Sequence, residues 1–170
     1  GPDGETGAAM RYLSQRYGMP SDKVKGLLTD IGTEELAHME IISAIIFQLT
    51  RNLNVDDLRK GGFDAYYIDH TTGIYPVDAS GNPFSALTFQ STGDAIADLH
   101  EDLAAEQKAR LTYDNILRIA DDPDVRDPIR FLRARELVHF QRFGEALRIT
   151  QEGLDAKNFY AFNPQFDQTN

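Results

Sequence analysis

The stretch TEELAHME, residues 33–40, places Glu35 and His38 three positions apart. Apolar residues on both sides recur at helical spacing, so both side chains fall on the face that a helix would bury. Residues three apart on a helix share one face, with Cβ atoms roughly 5 to 6 Å apart. Burying a lone carboxylate is very costly, and the cost is avoided by protonation, pairing or a cation. The stretch therefore predicts a compensating group in the interior.

A second stretch, RARELVHFQ at residues 133–141, repeats the arrangement with Glu136 and His139. Two further glutamates, Glu5 and Glu106, fall on the apolar faces of two other predicted helices. Two helices that each give a Glu, and two that each give Glu-x-x-His, form the ligand pattern of ferritin-like di-iron and di-manganese bundles. The sequence therefore predicts an all-α, ferritin-like four-helix bundle.

The four predicted helices differ in how clearly the sequence marks their ends. The first is short because the chain begins inside it, and each later helix has a capping residue or a stop signal. Pro128 is placed in the first turn of the fourth helix, where its missing N–H removes no helical bond. The predicted bounds are the chain start to Tyr17, Ser21 as N-cap to Leu49, Ser91 or Thr92 to about Ala120, and Asp124 as N-cap to Gly153.

Two segments lack a helical period. Residues 52–90 are rich in Gly, Pro and Asp and are predicted to form a long crossover between the second and third helices. Residues 154–170 are aromatic but aperiodic, and we expect this irregular C-terminal tail to pack on its own or a neighbouring subunit. We expect residues 1–153 to form one domain, which a chain of 170 residues is long enough to support.

The composition excludes several classes of partner. With 17 basic and 27 acidic residues, the chain carries a net charge of −10, which argues against nucleic acid and against an anionic membrane surface. The most apolar run, IISAIIFQL at 41–49, is about half the length that crosses a bilayer. The absence of cysteine excludes disulfides and thiolate-bound metals. Together with the lack of a signal-peptide pattern, this fits an intracellular protein.

The alternative to a metal site is that the glutamates and histidines form ordinary ion pairs. A single Glu-x-x-His pair favours that interpretation, but two pairs with two further glutamates on apolar faces favour a metal site. Carboxylate and imidazole ligands suit manganese or iron. His70, in the crossover, and His100, turned away from the apolar stripe of its helix, are predicted to face solvent. Tyr12 shares a helix face with Glu5 and is either a donor to a ligand carboxylate or a core tyrosine.

Four stretches resemble the manganese catalases, including their shorter spore-coat-associated members. They are GETGAAMRYLSQ, LLTDIGTEELAHMEII, EQKARL and RFLRARELVHFQ, in that order and with comparable spacing. The resemblance covers most of the chain and matches the tail less closely. The family normally has residues before Gly1 that complete the first helix, and Ala105 stands where some members carry an arginine. A structural calcium known in some members does not transfer on Asp30 alone.

The resemblance implies a role for each candidate residue. The residue matching Glu136 lies outside the ligand set and hydrogen-bonds bridging solvent, which makes Glu136 the candidate proton acceptor. Tyr12 matches a tyrosine that hydrogen-bonds the glutamate of the first helix. Glu35 is implied to bridge two manganese ions, and the full implied ligand set is Glu5, Glu35, His38, Glu106 and His139.

The activity implied by the resemblance is disproportionation of hydrogen peroxide to water and dioxygen, without haem. A di-iron ferroxidase or oxygen-activating protein is an open alternative, because affinity trends give manganese no intrinsic advantage. A third possibility is an assembly component of a spore coat with weak catalysis. The resemblance implies a homo-hexamer, and the location would be the cytoplasm or the spore coat, with coat proteins as possible partners.

Overall fold

The computed structural model describes residues 3–62, 78 and 80–155. The prediction of an all-α fold is confirmed, and among the described helices none is both long and apolar enough to cross a membrane. Residues 63–77 and 79 of the predicted crossover, which include His70, and nearly all of the predicted tail lie outside the described residues. The helices are α1 Glu5–Gln15, α2 Asp22–Thr50, α3 Val55–Lys60, α4 Ala95–Ile119 and α5 Pro123–Asp155.

The starts of α2 and α4 show how capping fixes helix ends. Ser21 caps α2 as predicted, since its side chain accepts a hydrogen bond from the Val24 amide. The predicted start of α4 at Ser91 or Thr92 is wrong, because Asp94 is the N-cap. Thr92 instead donates from its amide and its hydroxyl to the buried carboxylate of Asp98, at 2.9 and 2.6 Å. These bonds hold its backbone outside the helix.

The ends of α5 also differ from the prediction. Asp124 is not the N-cap, because the helix begins at Pro123, where a missing N–H removes no helical bond. Asp122 takes the capping role, and its side chain accepts from the Asp124 amide at 2.8 Å. Pro128 consequently lies inside the helix rather than in its first turn. The predicted helix end at Gly153 is also passed, since α5 continues to Asp155. The domain boundary at residue 153 stays a prediction.

The core consists of two apolar layers separated by a polar one. On α2, Leu28 and Ile31 lie in the first layer, and Ile42 packs against the second. Glu35 and His38 lie between them along the helix and are each 1% exposed. The polar layer is therefore enclosed by apolar packing on both sides along the bundle axis, which lowers the local dielectric.

The four long helices pack as two pairs. α1 lies mainly against α2 and α4 mainly against α5, while α1 and α4 approach each other at few points. Gly32 permits the close approach of α1 and α2, since a Cβ at this position would lie 2.9 Å from Leu13 Cγ. The rings of Tyr12 and Phe143 join α1 to α5, with centroids 4.8 Å apart.

Candidate metal centre

The side chains of all six predicted glutamates and histidines are buried in the polar layer of the bundle. None is more than 8% exposed, although the chain could expose ionisable groups to water at little cost. The structure therefore gathers the residues that the sequence pattern selected. They are Glu5 on α1, Glu35 and His38 on α2, Glu106 on α4, and Glu136 and His139 on α5.

Glu35 lies between the two histidines. Its Oε2 is 2.8 Å from Nδ1 of His38, and its Oε1 is 2.7 Å from Nδ1 of His139. The two imidazole rings stack, with centroids 5.3 Å apart and planes 19° apart. One carboxylate thus faces both imidazoles, with one oxygen toward each.

Two further carboxylates approach the same inner nitrogens. Glu136 Oε1 lies 3.7 Å from His38 Nδ1, and Glu106 Oε2 lies 3.5 Å from His139 Nδ1. Glu35, His38, Glu136 and His139 each offer one ligand atom, and these atoms all lie within 4.8 Å of one another. Glu136, which the family resemblance leaves outside the ligand set, is therefore as central as the implied ligands.

The donor set fits a divalent metal. Several buried ligand atoms have no hydrogen-bond partner among the described residues, including Glu35 Oε1 and His139 Nδ1, which are close but not aligned for a bond. Glu106 Oε2 and Glu136 Oε1 are likewise unpartnered. Unpartnered buried groups are costly, and convergence on one point is how a cation offsets that cost. Carboxylate oxygen with imidazole nitrogen matches the preferences of manganese and iron.

Two tyrosines cross between α1 and α4 to reach glutamates. Tyr12 donates to Glu106, whereas the resemblance implied that it would donate to Glu5. Glu5 instead accepts from Tyr113, a residue that the sequence analysis did not assign to the site. A signal for Tyr113 was present, since the same offset in sequence separates Glu5 from Glu106 and Tyr12 from Tyr113. Both rings are almost fully buried, at 1% and 4% exposure.

Glu34 is a second residue that the sequence analysis missed. Its Oε1 lies 3.6 Å from His38 Nε2, and its Oε2 lies 3.2 Å from His139 Nε2. Arg135 donates to both of its oxygens, at 2.5 and 3.1 Å. The carboxylate is 27% exposed and lies beside the apolar stripe, so hydrophobic period alone does not select it.

The carboxyl groups of the cluster differ widely in pKa. Burial raises the pKa of Glu35, but the nearby imidazoles of His139 and His38 outweigh it and bring that pKa to about 2. Burial and the charge of Glu106 raise the pKa of Glu136 to about 12. Burial lowers the pKa of His139, yet the nearby carboxylates of Glu106 and Glu35 raise that pKa to about 10. Burial and the charge of Glu35 raise the pKa of Glu5.

The pKa values of two further groups near the cluster are also shifted, in opposite directions. Burial raises the pKa of Glu34, but hydrogen bonds from Arg135 and the nearby imidazole of His139 reverse the effect and hold that pKa at about 2. Burial, followed by the charges of Glu106 and Asp102, raises the pKa of Tyr12. Tyr12 therefore stays a neutral donor at physiological pH.

A cavity of about 280 Å³ reaches the cluster between α1 and α4. Its walls include Ala8, Ala105 and Ala109, whose small side chains leave the space open. Glu5, Glu106 and Glu136 also line it, so a small solute in the cavity would contact the acidic cluster. The arrangement can bind cations and expose them to a small ligand. The full lining is Asp3, Gly4, Glu5, Ala8, Arg11, Tyr12, Ala105, Glu106, Lys108, Ala109, Thr112 and Glu136.

Comparisons with known proteins identify the family. The family described as manganese containing catalase matches residues 1–158. Protein CotJC of Bacillus subtilis is 51% identical over 94% of this chain and 84% of its own length. A probable manganese catalase of Clostridium acetobutylicum is 39% identical, over 90% of this chain and 68% of its own.

A solved structure gives the same result for the fold. The crystal structure of KatB, a manganese catalase from Anabaena PCC7120, superposes with a TM-score of 0.75 at 27% identity. The match covers 93% of this chain and 68% of KatB, and it confirms the prediction of a ferritin-like bundle. The family resemblance read from the four stretches is confirmed as well. The chain belongs to the manganese-containing catalase family.

Proposed function

We propose that the protein is a manganese catalase that disproportionates hydrogen peroxide to water and dioxygen. The observation that carries the proposal is the buried group of Glu35, His38, Glu136 and His139, whose ligand atoms lie within 4.8 Å of one another. Membership of the manganese-containing catalase family supports manganese over other divalent ions. The cavity that reaches these residues gives a small peroxide a route to them.

We assign two manganese ions to the cluster. Glu5 and His38 would hold one ion, Glu106 and His139 the other, and Glu35 would bridge the two. The placement of the two Glu35 oxygens against different imidazoles supports the bridge. The crossed donors Tyr12 and Tyr113 would orient the terminal carboxylates, so we regard Tyr12 as a positioning residue that acts through Glu106.

Glu136 has the position required of a proton acceptor. Manganese supplies the two-electron redox chemistry by which one peroxide is oxidised to dioxygen and a second is reduced to water. The first half-reaction releases two protons and the second consumes two. Glu136 lines the cavity and lies 3.7 Å from His38 Nδ1, so its carboxyl group can hold a proton between the two halves. Bound cations would lower its pKa from the high value of the metal-free cluster.

The test combines metal analysis with oxygen evolution. The chain is expressed with manganese and iron both supplied, and metal per chain is measured beside oxygen release from peroxide. Oxygen release by the manganese form alone would support the proposal. Activity of the iron form with a reducing substrate would favour the di-iron alternative, and neither metal in the protein would refute both.

A substitution isolates the role of Glu136. Glu136→Gln should keep its manganese while turnover falls by about 10²–10⁴-fold, the usual contribution of a general acid or base. Glu145→Gln, a change of the same kind at an exposed position of α5, is the matched control. Metal retention with near-normal turnover in Glu136→Gln would remove Glu136 from the mechanism.

We further propose a homo-oligomer, with a hexamer expected, located in the spore coat rather than the cytoplasm. The 51% identity to Protein CotJC supports the coat. Large apolar side chains on the surface support subunit contacts, among them Phe47, Val55 and Ile119, which are 61%, 59% and 84% exposed. Light scattering of the purified chain tests the oligomer, and a monomer would count against both the hexamer and a coat role.

A further inference from the structure

The cavity between α1 and α4 is larger than hydrogen peroxide requires. Its volume is about 280 Å³. A water molecule takes up about 30 Å³ in the liquid, and hydrogen peroxide, with one oxygen more, needs less than about twice that volume. An apolar cavity of about 150 Å³ in another protein is large enough to bind benzene. The space between α1 and α4 therefore suits an organic molecule with several carbon atoms.

The walls of this cavity change in polarity with depth. Exposed lining residues are polar, among them Lys108 and Thr112. Half-buried positions carry the alanines Ala8, Ala105 and Ala109. The buried lining residues include the glutamates of the acidic cluster. A belt of alanines therefore lies between the polar surface and the cluster.

Helix geometry fixes the alanine belt in place. On α4, Ala105 and Ala109 lie one turn apart and share a face, and α1 supplies Ala8 to the same cavity. Each of these side chains is a single methyl group, so the passage between the helices stays wide. A longer side chain at any of the three positions would fill part of it.

We propose that the cavity also admits short-chain alkyl hydroperoxides, which the site reduces to alcohols with electrons from hydrogen peroxide. This inference rests on the proposed function, because it uses the same redox chemistry. The alkyl group would lie against the alanine belt, with the peroxide group directed toward the acidic cluster. Burial of the alkyl group would remove apolar surface from water, a contribution that hydrogen peroxide cannot make.

The proposed reaction balances without a further reductant. Hydrogen peroxide gives up two electrons and two protons and leaves as dioxygen. The alkyl hydroperoxide takes up the same two electrons and two protons as its O–O bond breaks, which forms an alcohol and water. One hydrogen peroxide is therefore consumed, and one dioxygen released, for every alcohol formed.

Turnover is tested with tert-butyl hydroperoxide, which has as many non-hydrogen atoms as benzene. Manganese-loaded protein supplied with both peroxides should form tert-butanol continuously beside dioxygen. Without hydrogen peroxide, tert-butanol formation should stop after about one equivalent per site, because nothing returns the electrons. Dioxygen release from hydrogen peroxide with no tert-butanol would overturn the inference and leave the proposed catalase function intact.

Ala109→Leu tests whether the alanine belt sets the size limit. The larger side chain should lower the rate with tert-butyl hydroperoxide, relative to the rate with hydrogen peroxide, by about tenfold or more. Ala104→Leu is the matched control, because Ala104 is an exposed residue of α4 that lies outside the cavity lining. Equal rate ratios in the two variants would overturn the inference. Ala8→Leu narrows the passage from α1 and takes the place of Ala109→Leu if that variant does not fold.

A binding measurement tests the cavity without turnover. Zinc is diamagnetic and binds nitrogen and oxygen sites more tightly than manganese. In the zinc-loaded chain with ¹³C-labelled alanine methyls, tert-butanol should shift the signals of Ala8, Ala105 and Ala109 saturably and leave that of Ala104 in place. Ala109→Leu should weaken this binding by about tenfold. Because nothing is oxidised or reduced, the readout is independent of the catalase function, and the absence of these shifts in the parent would overturn the inference.

Discussion

Manganese binding should expel protons from the metal-free cluster. Glu136 and His139 have pKa values raised to about 12 and about 10, so each holds a proton at pH 7. A carboxyl or imidazole must lose that proton before the freed atom can bind a cation. Coordination by His139 therefore releases about one proton per chain, and ionisation of Glu136 beside the cations would release a second.

The sign of the resulting pH dependence follows from the direction of these shifts. Protons compete with the metal, so apparent affinity should rise with pH until His139 loses its proton near pH 10. Each displaced proton multiplies the apparent affinity by about ten per pH unit, which is about 1.4 kcal/mol. The protons of His139 and Glu136 together would change the apparent affinity by about 100-fold per pH unit. Acidification should strip the metal correspondingly steeply.

The assay is calorimetric titration of chelator-treated protein with Mn(II) at pH 7, in two buffers of different ionisation enthalpy. The difference between the observed heats gives the number of protons released. Glu136→Gln should release about one proton fewer than the parent if Glu136 ionises, while Glu145→Gln should match the parent. Release of clearly less than one proton by the parent would refute the reasoning, because His139 would already be unprotonated.

Three further substitutions probe single contacts. Tyr113→Phe deletes the donor to Glu5 and should weaken manganese binding by about tenfold in equilibrium dialysis; equal weakening by Tyr17→Phe, at an exposed ring, would contradict this. Gly32→Ala places a Cβ 2.9 Å from Leu13 Cγ of α1. Because this crowding should outweigh the gain in helix propensity, the free energy of unfolding should fall by about 1 kcal/mol. Leu132→Ala removes a fully buried side chain and should lower the free energy of unfolding, measured in urea, by about 2–5 kcal/mol. A decrease of less than about 1 kcal/mol would show that this apolar layer is loosely packed.

The buried faces of the helices were predictable because burial imposes a strict period. Leu28, Ile31, Glu35 and His38 fall on one stripe of α2, and all four are buried. Helix ends were less predictable, because several residues compete for each cap. Thr92 has a side chain that could cap α4, but its bonds to Asp98 depend on how the preceding segment folds back.

The site was predictable only as far as single helices determine it. Glu5 and Tyr12 share a face of α1, but they lie about 10 Å apart along the helix axis, too far for a direct bond. Each therefore finds its partner on α4, in Tyr113 and Glu106. Glu34 was missed for the same reason, since its role depends on contacts with α5 that no local pattern reveals.

The polar crossing of α1 and α4 joins access to chemistry. These helices have few other points of contact, and the alanine-lined cavity lies between them. The cavity that leads to the cluster is thus lined by carboxylates that would bind the ions and by a phenol that would orient one of them. A substitution of these phenols or carboxylates that widened or narrowed the cavity would also alter the metal site. Adaptation to a substrate of different size must therefore occur at the small residues of the cavity wall, such as Ala105.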